Sequence, residues 1–202
     1  DGRARFTVLE GLATPAEVAE IVRVGRAVLD ARVARGESRH LDSVDGWPTF
    51  EWHPLLHGNY DAAMEHVLRP ILEQRLAPYV RQRYGEPGAM PCTCLFRRYI
   101  EEERRIHPVH FDHQSFATSV MGLNPGEFEG GLFVQGDIVK SRSFIKLGCG
   151  DVCTHQYDLH HGVEVCAGTR YSLITWFMDT RQACLHNTRF WYKRGAEAGD
   201  PE

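Results

Sequence analysis

From Pro91 to about residue 178 the chain is a succession of short β-prone runs. This constrains its fold more than any other feature. CTCLFRRYI, SFATSVMGL, GGLFVQ, SFIKL, DVCTH, GVEVC and TRYSLITWF are separated by Gly, Pro, Asn and Asp. Many short strands at such spacing build a β-sandwich or barrel. The chain ahead of them is different. Residues 5–9 (RFTVL) read as a short strand. In TPAE, Thr14 is placed as N-cap, Pro15 at the first helical position and Glu17 at N3, a capping box. The helix is expected over Pro15–Ala34, with Val18, Ile21, Val22, Val28 and Ala31 on its buried face. Residues 36–58, with Trp47 and Trp52, read as a long loop that forms a lid or packs on the body. A second helical region, about 60–84, should be kinked or split at Pro70 and Pro78.

These readings combine into an α+β chain with one domain over residues 1–202. Helical support is expected over about 1–90, the β core over about 91–180, and a tail over 181–202. At 43% hydrophobic residues the chain can bury a core, and no apolar run approaches the ~20 residues that span a bilayer. Lys+Arg 23 against Asp+Glu 27 gives a net charge of −4, which argues against nucleic acid as a partner. The first residue is Asp1 and no apolar leader follows, the start expected of a processed or excised form. The six cysteines do not make zinc-type C-x2-C pairs and are expected as free buried thiols. No N-x-[ST] sequon occurs, which leans toward an intracellular protein.

HPVHFDHQS (107–115) crowds three histidines and an aspartate into seven positions. On a strand, residues i and i+2 share a face, so His110 and Asp112 can grip one ion, whereas His107 and His110 would face opposite sides. A third ligand is sought in DLHHGVEVCAGTRYSLITWF (158–177), at His160 or His161. Alternation puts Arg170, Ser172, Ile174 and Trp176 on one face of the following strand. A buried arginine there needs a partner, and its fork suits a carboxylate. Two histidines and a carboxylate form the facial triad of non-haem iron(II) oxygenases. Arg170 would then meet the far carboxylate of a keto acid on the metal.

With these residues in place, the chain resembles the iron(II)/2-oxoglutarate-dependent dioxygenases, in particular their prolyl 4-hydroxylase-like branch. The resemblance covers about residues 95–178. It is carried by RRYIEEERRIHPVHFD, ATSVMGLNPGEFEGGLFV and GDVCTHQYDLHHGVEVCAGTRYSLITWF. It implies a double-stranded β-helix (jelly-roll) core supported by the N-terminal helices. It implies His110, Asp112 and His161 as ligands of Fe(II), with His160 as the alternative to His161. Arg170 would bind the 5-carboxylate of 2-oxoglutarate, with Tyr99 and Ser172 as further contacts. O2 is the third reactant, and ascorbate an accompanying reductant. Asp112 keeps the site complete, unlike that of halogenating relatives, so hydroxylation is implied, with succinate and CO2 released. A prolyl residue in a peptide or protein is the first expected substrate, and a free amino acid or other small metabolite the second. A non-catalytic metal-binding sandwich is the competing reading. Such a protein usually lacks a ligand or the carboxylate anchor, and this chain has both.

Overall fold

The computed structural model describes residues 5–136 and 141–186. Helix α1 (Pro15–Ala34) has the expected bounds and cap: Glu17 N–H donates to Thr14 Oγ1 (3.3 Å), and Thr14 N–H donates to Glu17 Oε2 (2.8 Å). Its buried residues are Val18, Ile21, Val24, Gly25 and Leu29. Val22 and Val28 are only partly buried, so the packed face is turned from the one expected. Gly25 explains the rotation. A Cβ there would lie 2.5 Å from the Phe96 ring, so the bare backbone receives that ring. The second helical region runs as α2 (Glu65–Arg69), a π-helical stretch over Pro70–Leu76, and α3 (Ala77–Tyr84). The loosened stretch starts at Pro70, which has no N–H to offer the preceding turn. Among the described residues no helix is long and apolar enough to cross a membrane.

The strands are β1 (Phe6–Leu9), β2 (His40–Leu41), β3 (Pro48–Thr49), β4 (Glu51–Leu56), β5 (Asn59–Tyr60), β6 (Met90–Tyr99) and β7 (Ile106–His110). Then follow β8 (Ala117–Gly122), β9 (Phe128–Gln135), β10 (Arg142–Phe144), β11 (Val152–Gln156), β12 (His161–Gly168) and β13 (Arg170–Met178). A seven-stranded antiparallel sheet has the order β1-β11-β8-β13-β6-β4-β5, and a four-stranded one the order β10-β9-β12-β7. Strands alternating between two facing sheets make the jelly roll.

Two layers of core follow from strand alternation. On β13, Tyr171, Leu173 and Phe177 pack with Ile21, Leu29, Leu68 and Leu72 of the helical layer. Ile174 instead joins Tyr99, Val120, Leu132, Cys153, Val163 and Val165 between the sheets. Arg170 and Ser172 share the parity of Ile174 and so belong to that inner face.

Three expectations change. Residues 36–58 are not one loop: β4 enters the large sheet beside β6, and Trp52 is 5% exposed within the core. Trp47 stays 52% exposed, its Nε1–H donating to Glu103 O. The short strand expected at residues 5–9 is β1, but the 1–90 region holds more strand than that, because β4 and β5 also extend the large sheet. Of the tail, residues 181–186 form helix α4 (Arg181–His186), and 187–202 lie outside the described residues.

The cysteines also differ. Cys92 and Cys184 form a disulfide, because α4 folds back over the start of β6. Cys94 and Cys153 are free and buried, but Cys149 and Cys166 are exposed. The bridge joins residues 92 apart in sequence. Reduction is expected to lower stability by about 2–4 kcal/mol. Urea midpoints with and without reductant measure it, and an unchanged midpoint would refute it.

Candidate active site

His110 ends β7 and His161 begins β12, and the two are register partners. Asp112 lies just past the end of β7, so a turn places it rather than strand alternation. Ser115 N–H and Oγ–H both donate to Asp112 O, at 2.9 and 3.0 Å. His110 Nε2 is 3.4 Å from Asp112 Oδ1, and His161 Nε2 is 3.5 Å from Asp112 Oδ2. One donor atom from each of the three residues lies within 4.8 Å of the others.

The histidine tautomers follow from their second nitrogens. Nδ1 of His110 meets Pro108 O at 2.8 Å, and Nδ1 of His161 meets Leu159 O at 2.9 Å. A carbonyl can only accept, so each Nδ1 carries a proton, and in the neutral ring Nε2 carries a lone pair. Burial pushes His161 down to about 3, which keeps it neutral. Burial alone would raise Asp112. The facing imidazoles, His161 first, instead hold its carboxyl well below the usual carboxylate range. His110 also loses by burial, but the Asp112 carboxylate overrides this and raises it. Asp112 Oδ2 is buried with no hydrogen-bond partner and faces a lone pair. A cation is what such an acceptor set lacks, and two imidazoles with one carboxylate suit iron(II).

His160 takes no part. It is half-buried, its ring stacked on Phe111 at 3.7 Å. Arg170 pairs with Tyr99 across β13 and β6, its guanidinium carbon 5.3 Å from the Tyr99 ring centroid and 5.8 Å from that of Phe128. Arg170 Nη1 and Ser172 Oγ are both buried without a hydrogen-bond partner. Burial lowers the Arg170 pKa, which nearby Tyr99 opposes. A buried donor of this kind is costly unless an acceptor arrives. Next to Arg170 lies a cavity of about 260 Å³ lined in part by Gly122, Phe128, Gly131, Ile145 and Leu147.

His107 departs from its expected place. It shares a side with His110, the rings 4.3 Å apart and edge to face. The register explains this: His110 pairs with His161 but His107 pairs with Val163, so Pro108 and Val109 oppose Gly162 alone. That bulge cancels the alternation. His107 Nε2 is 3.3 Å from Asp42 Oδ1, while Arg97 and Arg104 hold Asp42 Oδ2 at 2.8 and 3.0 Å. Asp42 thus ties the 36–50 segment to the back of the His110 ring. Its sequence context, an exposed-looking loop, carried no signal of this. His155 was also missed. It is 0% exposed, and its ring lies 4.4 Å from that of His161. The signal was its i, i+2 relation to Cys153 in DVCTH.

No protein-family model and no curated protein matches the chain. Solved structures do. The epimerase SnoN in complex with Fe3+, alpha ketoglutarate and nogalamycin RO is 19% identical, with 88% of this chain and 80% of that chain covered at a TM-score of 0.63. A Pseudomonas putida prolyl-4-hydroxylase is 18% identical, with 86% and 92% covered at 0.56. A prolyl hydroxylase in complex with a hypoxia inducible factor peptide fragment from Trichoplax adhaerens is 15% identical, with 90% and 87% covered at 0.63. The chain has the fold of these enzymes, the jelly roll that the family resemblance implies and a form of the sandwich or barrel expected from its strand pattern.

Proposed function

We propose that this chain is an iron(II)- and 2-oxoglutarate-dependent dioxygenase that hydroxylates a C–H bond, with a prolyl residue of a peptide or protein as its substrate. The reading takes residues 1–202 as a single oxygenase domain. The observation that carries it is a pair of complementary deficits inside one jelly roll. Asp112 Oδ2 lacks a cation, and Arg170 Nη1 and Ser172 Oγ lack an acceptor. A metal answers the first deficit and a carboxylate the second. A keto acid that chelates the metal and carries a distal carboxylate answers both, and 2-oxoglutarate is such a molecule.

His110, Asp112 and His161 would hold the iron, leaving the rest of its coordination positions to small molecules. Bound iron with 2-oxoglutarate and O2 supplies the oxidising chemistry, with succinate and CO2 as products. The chain's own residues position the reactants. Arg170 and Ser172 would fix the 5-carboxylate, and Tyr99 supports the guanidinium from below. Val120, Leu132, Val163 and Ile174 line the space between the sheets with apolar side chains. That lining keeps the interior beside the site apolar.

The prolyl assignment draws support from the two prolyl hydroxylases that share the fold. A small metabolite is the second reading, favoured by the neighbour captured with nogalamycin RO. One screen separates them. The protein is incubated with iron(II), 2-oxoglutarate, ascorbate and O2, beside proline-containing peptides, free amino acids and small metabolites. Succinate release and the mass gain of one oxygen atom are measured. Peptide-dependent turnover supports the prolyl reading. Turnover only with small molecules supports the second, and no succinate with any substrate sinks the enzyme. Arg170→Ala is expected to raise the 2-oxoglutarate requirement at least about 30-fold, since removing one partner of a buried charge pair costs ~2 kcal/mol or more. Unchanged cosubstrate affinity would remove Arg170 from this role.

A further inference from the structure

The metal and cosubstrate reading accounts for Asp112 Oδ2, Arg170 Nη1 and Ser172 Oγ. A fourth buried atom nearby has no partner and no role in that reading, His155 Nε2.

The placement of His155 follows from β11. Cys153 on that strand packs between the sheets, while Val152 packs with the helical layer and Thr154 Oγ1 accepts from Tyr84 OH (3.1 Å). By alternation His155 points the same way as Cys153, into the space between the sheets. Its register partner on β8 is Thr118, which in turn pairs with Trp176 on β13. His155 therefore stands on the wall of the large sheet that faces His110 and His161 on the small one. Its ring is tilted 53° against that of His161.

The ring orientation is also determined. Nδ1, the nitrogen near the backbone, meets Gln156 O at 2.8 Å and so carries the proton. Nε2, at the far tip of the ring, is left as a bare acceptor aimed into the interior. A buried acceptor without a donor is rare in native proteins and costs free energy until one arrives.

The candidate donors are few. 2-Oxoglutarate offers keto and carboxylate oxygens, all acceptors. His110 and His161 have spent their protons on backbone carbonyls. His155 itself lies outside the set of donor atoms that converge within 4.8 Å. A water molecule on a divalent cation is a strong donor, because the cation polarises its O–H bonds.

We propose that His155 is a positioning residue of the metal centre: its Nε2 accepts a hydrogen bond from a water on the metal, on the side facing the large sheet. The proposal rests on the iron-site reading. Outer partners of this kind typically contribute 10–100-fold to metal affinity. The proposal places this water among those that the two chelating atoms of 2-oxoglutarate displace, so the contribution of His155 shrinks once the cosubstrate binds.

Calorimetric titration of cobalt(II), a redox-stable stand-in, into the apo-protein tests this. His155→Phe keeps a ring of similar shape and removes the acceptor, and His155→Leu serves if the phenyl ring does not fit. The expected result is an affinity weakened about 10–100-fold without 2-oxoglutarate. The gap should narrow when 2-oxoglutarate is saturating, and the visible cobalt spectrum should change only in its absence. His155→Gln can place its amide oxygen near the lost Nε2 and should recover most of the affinity. Wild-type affinity in the Phe and Leu variants overturns the proposal. So does an equal gap with and without 2-oxoglutarate, or a Gln variant as weak as Phe. A wild-type protein that binds no cobalt overturns both this and the iron-site reading, whereas the outcomes above overturn the role of His155 alone.

Discussion

Asp112→Ala is expected to weaken divalent-metal affinity by more than ~100-fold and abolish turnover, exceeding the loss typical of an outer-shell partner. The reason lies in the charge of the site. Asp112 is the only anion among the three converging donors, and both its oxygens face imidazole nitrogens at 3.4 and 3.5 Å. Without it, two neutral nitrogens remain in a buried site, and a divalent cation there lacks any compensating charge. Asp112→Asn, which keeps the shape and loses the charge, should fail nearly as badly. Titration of cobalt(II) or anaerobic iron(II) measures the loss, and retention of metal by the Ala variant would refute the assigned ligand set. The same geometry sets a pH dependence. Asp112 raises the pKa of His110 above its ordinary value, so protons compete for His110 Nε2 as pH falls through that raised pKa. Metal affinity should therefore be full at alkaline pH and fall under mildly acidic conditions. His161, held near 3, adds nothing to this fall.

Phe96→Ala is expected to cost about 3–5 kcal/mol of stability, a large share of the roughly 5–15 kcal/mol that holds a domain of this kind. Phe96 is fully buried, stacks on Tyr171 with centroids 5.7 Å apart, and fills the space over the bare backbone of Gly25. This contact binds α1 to the back of the large sheet. Truncation removes the ring and leaves a cavity that neither the helix nor the sheet can close. Gly25→Leu attacks the same contact from the other side by overpacking, at about 1–3 kcal/mol or more. The double variant should lose less than the sum, because the new side chain enters the vacated volume. Urea midpoints of the four proteins measure the coupling. Strict additivity, or a Phe96→Ala loss under ~1 kcal/mol, would refute the interlock.

The elements whose local chemistry is self-contained were legible in advance. Helix α1 has the bounds that Thr14, Pro15 and Glu17 announce, because its cap is built from neighbours in sequence. The β-prone runs from Cys92 to Phe177 became strands, because branched and aromatic side chains suit a pleated surface. The failures have one shared cause. Val22 and Val28 fit a helical stripe, but Phe96, some seventy residues away, decided which stripe was buried. Trp52 looked like part of a loop because β4 is stabilised by β6 and not by its own sequence.

The candidate site divides in the same way. Residue types and spacing were enough to propose His110, Asp112 and Arg170 as candidates and to narrow the third ligand to His160 or His161, since a metal ligand or a buried cation is a chemical necessity that survives without coordinates. The family resemblance preferred His161 to His160, and the tertiary structure supplies the physical reason, turning the one ring to Asp112 and stacking the other on Phe111. Tertiary structure alone moved His107 to the side of His110, through a bulge set by the neighbouring strand. It alone brought Asp42 and His155 to the centre, from a loop and a strand with no motif of their own. The sequence determined which groups could do chemistry. Which of them meet was decided by pairing between distant strands, because backbone register is a property of two strands together and is encoded in neither one alone.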